Sequence, residues 1–143
     1  MRFSLSLAAA ASMLGLAQAR IVGISVPDTI RPGDGFNAIV ISENYIQRVY
    51  DVAIVFGYVP GNGYPQSLGY DVESFYIGPG QSNQLKSFKK WITIPDSVPK
   101  GKGVVAASLM SLYGVLHSPT LSNYQVNVTF GEETSTHYIS SLQ

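Results

Sequence analysis

Hydrophobic and polar residues alternate with a period of two along most of this chain, which is the pattern of half-buried β-strands. The clearest example is NYQVNVTF at residues 123–130, where aromatic and aliphatic side chains fall on one face and Asn, Gln and Thr side chains on the other. Residues 104–114 are apolar on both faces, which predicts the central strand of a sheet. Five more segments have strand patterns: 21–26, 36–41, 50–56, 72–77 and 85–94.

Turns rich in glycine and proline separate most of these seven segments. The first, IRPGDGFNAIV at residues 30–40, has the glycines of a phosphate-binding loop, but such a loop needs a following helix whose N–H groups face the anion. Residues 36–41 have a strand pattern instead, so Gly33 and Gly35 are interpreted as part of a connection between strands. The chain is therefore predicted to be all-β, a single antiparallel β-sandwich of immunoglobulin-like type with about seven strands.

Three segments need separate interpretation. In residues 50–56 the side chains at even positions share one face, and Asp51 is predicted to lie on the other face. Residues 42–50 fit either a short helix or the continuation of a strand. Residues 132–143 are polar, and we expect them to form a loose tail outside a sandwich domain that spans residues 20–131.

The amino terminus has the features of a targeting segment. Arg2, an alanine-rich apolar run and small residues at Ala17 and Ala19 predict a secretory signal peptide over residues 1–19. Its apolar stretch is shorter than the roughly 20 residues that a membrane-spanning helix needs. We therefore expect a secreted protein, with cleavage between Ala19 and Arg20.

Composition narrows the classes of partner. Because Arg2 leaves with the signal, the predicted mature chain has eight Lys and Arg residues against nine Asp and Glu, a formal charge of −1. This balance gives no electrostatic reason to expect a nucleic acid or an acidic membrane as partner, and no membrane insertion is expected. Cysteine is absent, so the fold loses no disulfide on moving from an oxidising to a reducing compartment, which is compatible with work inside another cell.

Few residues offer catalytic or metal-binding chemistry. His117 and His137 lack the spacing of metal ligands. Asp71 and Glu73 would share one strand face about 7 Å apart, whereas the carboxylates of a glycosidase flank the scissile bond from opposite sides. The two serines of residues 104–114 lack the Gly-x-Ser-x-Gly turn of a nucleophile. We expect no catalytic residue, no metal and no cofactor, and hence no enzyme.

Tyr58, Tyr64 and Tyr70 lie within or beside a glycine- and proline-rich loop, GYVPGNGYPQSLG at residues 57–69. Exposed tyrosine provides a large amphipathic contact surface at low entropic cost, which favours a partner-binding loop. Burial of the same rings over the end of the sandwich is the alternative. From the sequence, both interpretations stay open.

Two further segments have surface features. In KSFKKW, residues 86–91, the lysines favour an edge strand protected from aggregation over a partner-binding site. Asn127-Val128-Thr129 is an N-glycosylation acceptor sequence, and the alternation of residues 123–130 places Asn127 on the outward face. Asn127 is thus a candidate glycosylation site.

Four longer stretches resemble the fungal necrosis-inducing secreted protein family, which consists of small effectors of plant-associated fungi. They are VPDTIRPGDGFNAIV, NYIQRVYDVAIVFGYVPGNGYPQSLG, GPGQSNQL and ASLMSLYGVLHSPTLSNYQVNV, and the likeness covers residues 21–130. The resemblance implies a non-enzymatic effector that binds two plant immune kinases, a receptor-like co-receptor kinase and a receptor-like cytoplasmic kinase. It also implies suppression of pattern-triggered immunity and induction of host cell death. No family motif assigns a site residue.

Two other functions stay open from the residues alone. A secreted cell-wall or carbohydrate-binding module would use the tyrosines of residues 58–70 to stack against sugar rings. A hydrolase would rest only on Asp71 and Glu73.

Overall fold

The computed structural model describes residues 18–142, and this part of the chain is almost entirely β-structure. Within that range there are nine strands and one short helix. The strands are β1 (Ala19–Pro27), β2 (Thr29–Ile30), β3 (Gly35–Asn44), β4 (Val49–Pro60), β5 (Tyr70–Tyr76), β6 (Phe88–Thr93), β7 (Gly101–Tyr113), β8 (Ser118–Phe130) and β9 (Tyr138–Ser140). Helix α1 (Gly78–Gln81) lies between β5 and β6. The predicted signal peptide lies outside the described residues, except for Gln18 and Ala19.

Two sheets pack together, which confirms the predicted all-β sandwich. The smaller sheet has the strand order β6-β3-β1-β9 and the larger one β2-β8-β7-β4-β5. β7 is the middle strand of the larger sheet, as its two apolar faces predict. The strand pairs are antiparallel except for β2 and β8, which are parallel, so the expectation of a purely antiparallel sandwich is wrong at this edge. The immunoglobulin-like assignment stays a prediction.

The hydrophobic core lies between the two sheets and is built from alternate residues of the long strands. Val105, Ala107 and Leu109 of β7 face it from the larger sheet, and Ile24 and Val26 of β1 come from the smaller sheet. The largest fully buried side chains are Phe56 and Phe130. Because the chain has no cysteine, burial of these side chains must provide most of the stability.

A β-bulge in β4 overturns the prediction for Asp51. The pairing register with β7 shifts between Asp51 and Ala53, so one extra residue in β4 reverses the alternation of its side chains. Ile54 and Phe56 face the core as predicted, but beyond the bulge Asp51 is buried and Tyr50 is not. A period of two assumes an unbroken strand, which is why the sequence placed Asp51 on the face opposite to that of Ile54 and Phe56.

The tail is part of the fold, contrary to the expectation of a loose segment. Strand β9 pairs with the carboxyl-terminal half of β1, and the Tyr138 hydroxyl donates a hydrogen bond to the Asn37 carbonyl oxygen at 2.8 Å. A three-residue strand is too short to show an alternating pattern, so it cannot be recognised before its partner strand is known. Residues 42–50 continue β3 to Asn44 and then form a loop, without a helix.

The two ends of the sandwich carry different loops. Strand β4 begins at one end, beside loops 45–48 and 114–117, which we call the aliphatic end. It finishes at the other end, where residues 61–69 connect β4 to β5. We call residues 58–70, which include the last residues of β4 and the first of β5, the tyrosine loop, and this end the tyrosine end. Surfaces at these two ends are therefore separated by the length of the strands.

Candidate functional site

The tyrosine loop has a backbone that only particular residues permit. Gly69 has φ +79°, and a Cβ atom at this position would lie 2.5 Å from the Tyr58 carbonyl oxygen. Glycine is therefore required both for the left-handed conformation and for the close approach of the chain to β4. Gly69 thus allows the end of the loop, just before β5, to lie directly against β4.

Hydrogen bonds from the larger sheet hold the loop in place. The Gln125 side-chain amide of β8 donates to the carbonyl oxygens of Tyr64 and Ser67, at 3.0 and 3.4 Å. The Gly61 amide donates to the Lys102 carbonyl oxygen at 2.7 Å. The loop is thus fastened to both β7 and β8, which reduces the entropy that it would lose on binding a partner. Sequence patterns did not identify Gln125, because an outward-facing glutamine has no local signature of this contact.

The three predicted tyrosines have two different roles in the structure. Tyr64 is 72% exposed and Tyr70 is 64% exposed. Tyr58 is half-buried, with its ring centroid 5.5 Å from that of Tyr70 and 6.4 Å from that of Phe130. Tyr58 therefore covers the end of the core, while Tyr64 and Tyr70 offer their rings to solvent. The two interpretations left open by the sequence apply to different residues.

An open groove of about 750 Å³ runs between the exposed tyrosines. It is lined by Val59, Pro60, Asn62, Tyr64, Ser67 and Tyr70, among others. Such a surface combines aromatic faces with a few polar groups, the chemistry of a protein- or sugar-binding site. Within the part of the chain that the structure describes, its lining has no acidic or basic side chain, so binding here would depend on packing and hydrogen bonds.

The other candidate residues lie apart from this groove or out of reach. Asp71 and Glu73 are exposed on β5, at the edge of the larger sheet. Ser108 hydrogen-bonds to Asn123 on the outer surface, and Ser111 is fully buried. The structure therefore does not bring these two serines together with Asp71 and Glu73 in a cleft.

Asp51 is the centre of a buried polar cluster at the aliphatic end. Ser111 Oγ donates to its carboxylate at 2.7 Å, and the backbone of Asn83 also hydrogen-bonds to it. Ser82 Oγ accepts from the Asp51 amide at 2.8 Å and donates to the Val49 carbonyl oxygen at 3.1 Å. Burial raises the pKa of Asp51, and the two hydrogen bonds only partly oppose this.

We expect the buried carboxyl group to make stability depend on pH. A folded-state pKa above the unfolded value of 3.8 means that the folded protein binds the extra proton. The contribution of Asp51 is therefore greatest below that value and falls as the pH rises through the folded pKa. Asp51→Asn cannot ionise. The difference in melting temperature between this variant and wild type should therefore shift in favour of the variant as the pH rises from about 3 to about 7.

Asp71→Asn is the matched control, because Asp71 is exposed. Its melting temperature relative to wild type should change less over the same pH range. Melting curves followed by circular dichroism would provide the comparison. A constant difference between Asp51→Asn and wild type at all pH values would contradict the expectation.

The histidines are separated by the fold. His117 lies in the turn between β7 and β8 at the aliphatic end, while His137 Nδ1 lies 3.1 Å from a carboxylate oxygen of Asp28. Among residues 18–142 no group of three or more potential ligands is arranged to hold a metal ion. The same part of the chain has no helix with the length and apolar character for crossing a membrane.

The remaining predicted surface residues lie where the pattern placed them. Strand β6 is at the edge of the smaller sheet, which confirms the edge position predicted for residues 86–91; their protection from aggregation stays a prediction. Lys90 Nζ lies 5.2 Å from the centroid of the Phe75 ring in the opposite sheet and donates to Gln81 Oε1 at 2.7 Å. Asn127 is exposed on β8, so its side chain is accessible; glycosylation stays a prediction.

The predicted cleavage site lies at the start of β1. Ala19 is buried and donates its amide to Asn83 Oδ1 at 2.9 Å, whereas Arg20 pairs with Glu43 at 3.3 Å. Cleavage between them would remove the Ala19–Asn44 backbone pair and leave the rest of the β1–β3 ladder. Signal cleavage stays a prediction.

Comparison with known proteins identifies the family. The model of the Nis1 family matches residues 17–129, which include β1 to β8 apart from the last residue and the whole tyrosine loop. The chain belongs to the Nis1 family. It is 54% identical over 142 residues to necrosis-inducing secreted protein 1 of Colletotrichum orbiculare, covering 99% of this chain and 88% of that protein. It is 49% identical to the protein of the same name from Colletotrichum higginsianum, covering 99% of each.

These relatives confirm the resemblance noted in the sequence. Both Nis1 relatives are named as secreted, necrosis-inducing proteins. This chain is therefore a secreted member of a family of necrosis-inducing effectors. The family match ends at residue 129, so β9 and the tail lie beyond it.

Proposed function

We propose that this secreted effector binds plant immune kinases through its tyrosine loop and thereby suppresses pattern-triggered immunity. The partners proposed are a receptor-like co-receptor kinase and a receptor-like cytoplasmic kinase. Induction of host cell death is part of the same proposal, in line with the names of the relatives.

The observation that carries the choice of site is the exposure of Tyr64 and Tyr70 on an anchored loop. Tyrosine is enriched among residues that dominate binding energy at protein interfaces. Gln125 holds the backbone of this loop against β8, so the loop backbone has little entropy left to lose on binding. An anchored pair of aromatic rings beside a groove is a surface suited to a protein partner.

A role without catalysis is consistent with the placement of the chemically reactive groups. Ser111 is buried against Asp51. Asp71 and Glu73 are exposed on the edge strand β5, and a shift in the pairing register between them means that they do not share one strand face as predicted. None of these arrangements has a nucleophile, a base and a substrate cleft together, as an active site requires. We therefore propose that the protein acts by binding alone.

Tyr64→Ala is expected to weaken kinase binding by about 1 to 3 kcal/mol, the range for an interface anchor. Its melting temperature should barely change, because the ring is 72% exposed and the hydrogen bonds of the residue use its backbone oxygen. Calorimetric titration of purified kinase domains with the variant would measure the affinity. Co-precipitation of the wild-type protein with the same domains is the first step.

Tyr76→Ala is the matched control for Tyr64→Ala. Tyr76 is similarly exposed, at 66%, but lies at the far end of β5, where its hydroxyl shares a hydrogen bond with that of Tyr50. Kinase binding should be unchanged in this variant. Equal loss in both variants, or none in Tyr64→Ala, would exclude the tyrosine loop as the anchor.

A carbohydrate-binding module is the second candidate, and the groove itself favours it. Asn62 and Ser67 line the groove together with the rings of Tyr64 and Tyr70, and sugars bind to such mixtures of stacking faces and polar groups. Glycan-array binding that is lost in Tyr64→Ala, with no affinity for kinase domains, would favour this function.

A further inference from the structure

The aliphatic end exposes apolar side chains at the tips of two neighbouring loops. Val115 and Leu116 occupy the centre of the turn between β7 and β8 and are 98% and 89% exposed, and Ile46 in the loop between β3 and β4 is 90% exposed. Hairpin turns ordinarily carry Gly, Asn, Asp or Ser at such positions. Nothing in the fold of residues 18–142 covers these three side chains, and exposed apolar side chains grouped in this way are typical of contact sites.

The two loops are joined to each other and are well defined. The Gly114 amide donates to the Arg48 carbonyl oxygen at 2.9 Å, which links the tip of one loop to the base of the other. His117 has φ +52° and donates its amide to the Gly114 carbonyl oxygen at 3.3 Å, closing the turn. Tyr45 and Tyr113 pack edge to face below the tips, with ring centroids 5.8 Å apart. The aliphatic side chains therefore project from loops whose backbones are held by hydrogen bonds and aromatic packing.

Three basic residues lie at the same end of the sandwich as these tips. Arg48 lies in the same loop as Ile46, and Arg20 and Lys86 lie at the same end of the sandwich. The exposed carboxylate at this end, among the described residues, is Glu43, and it is paired with Arg20. The acidic residues concentrate at the tyrosine end, which carries Asp28, Asp34, Asp96, Glu132 and Glu133. The formal net charge of the whole chain is zero, but the charges are unevenly distributed, and the aliphatic end is positive.

A cavity between the two loops places one arginine beside one of the exposed aliphatic side chains. Its volume is about 430 Å³, and Arg48, Val115 and His117 are among the residues that line it. An arginine guanidinium binds phosphate groups through several N–H donors. A negatively charged headgroup could therefore enter this cavity while the neighbouring aliphatic side chains enter the hydrocarbon.

We infer that the aliphatic end docks on the surface of a membrane that contains anionic phospholipids. Projecting aliphatic side chains flanked by basic residues are suited to the boundary between headgroups and acyl chains. Three exposed aliphatic side chains on two loop tips are far fewer than the roughly 20 to 30 residues that each partner contributes to a standard interface, so this end is not suited to a stable dimer. Docking by this end leaves the tyrosine loop free at the opposite end, and it does not depend on the proposed kinase binding.

Co-sedimentation with lipid vesicles tests this inference on the full secreted protein. We expect binding to phosphatidylcholine vesicles that contain about 30% phosphatidylserine, and much weaker binding to phosphatidylcholine alone. The double substitution Val115→Ser and Leu116→Ser should weaken binding about tenfold or more, because the apolar anchor is lost. Arg48→Glu should weaken binding to the anionic vesicles and lower its dependence on salt.

Two control variants separate the tip from general effects of the surface. Leu121→Ser removes another exposed aliphatic side chain, 71% exposed on β8, and Lys102→Glu reverses a charge at the tyrosine end; both should bind vesicles like wild type. Circular dichroism should show all variants folded, since the substituted side chains are exposed. Absence of vesicle binding, equal binding to neutral vesicles, or full binding by the double variant would overturn the inference. Loss of kinase binding or of self-association in the double variant, with vesicle binding intact, would also overturn it.

Discussion

Phe130→Ala is expected to destabilise the sandwich by about 3 to 5 kcal/mol, the range for removing a fully buried aromatic ring. Phe130 ends β8 and lies in the core, where its ring meets that of Tyr58 edge to face. The same ring fills the space above Gly103 of β7. Its loss would leave a cavity directly beneath the tyrosine loop. Because domains of this size are stable by only about 5 to 15 kcal/mol, this loss would be a large share of the total stability.

Denaturant unfolding followed by tryptophan fluorescence would measure this loss, since the chain has one tryptophan. Thr129→Ala is the matched control, because Thr129 is the exposed neighbour of Phe130 on the same strand. It should change stability by about 0.5 kcal/mol or less, as surface substitutions usually do. Similar unfolding midpoints for the two variants would show that the Phe130 ring does not support the core.

Gly57→Ala is expected to destabilise the protein by about 1 to 3 kcal/mol and to displace the tyrosine loop. Gly57 lies where the register between β4 and β5 shifts. A Cβ atom here would collide with the carbonyl oxygen of Leu68 and lie 2.9 Å from that of Tyr70. Backbone atoms cannot move aside as a side chain can, so β4 and β5 must separate at the base of the loop. Kinase binding should therefore decrease together with stability.

Gly80→Ala is the control for Gly57→Ala. A Cβ atom at Gly80 would meet nothing within 4 Å, and its φ lies outside the left-handed region, so the variant should keep both its stability and its binding. Melting temperature and kinase affinity measured on both variants would decide the matter. A fully stable Gly57→Ala variant with normal affinity would mean that the strands accommodate the extra methyl group without moving the loop.

The sequence by itself determined the features that depend on local pattern. Alternating residues identified β8 and the exposure of Asn127, two apolar faces identified β7 as the central strand, and lysines marked β6 as an edge. Each of these properties follows from the order of neighbouring side chains along an extended chain. Long matching stretches likewise identified the family, although they assigned no role to a single residue. The tyrosines were found as a group, but the sequence did not distinguish the covering ring of Tyr58 from the exposed ones.

Only the tertiary structure decided the features that depend on contacts between distant segments. The bulge in β4 turned Asp51 inward, where Ser111, 60 residues away, donates a hydrogen bond to it. Gln125 anchors a loop that lies 58 to 61 residues earlier, and β9 exists because β1 offers an edge to it. The folded chain also gathers its scattered charges into a basic and an acidic end. A register shift, an edge strand and the separation of charge are properties of paired segments, so no window along one chain can show them.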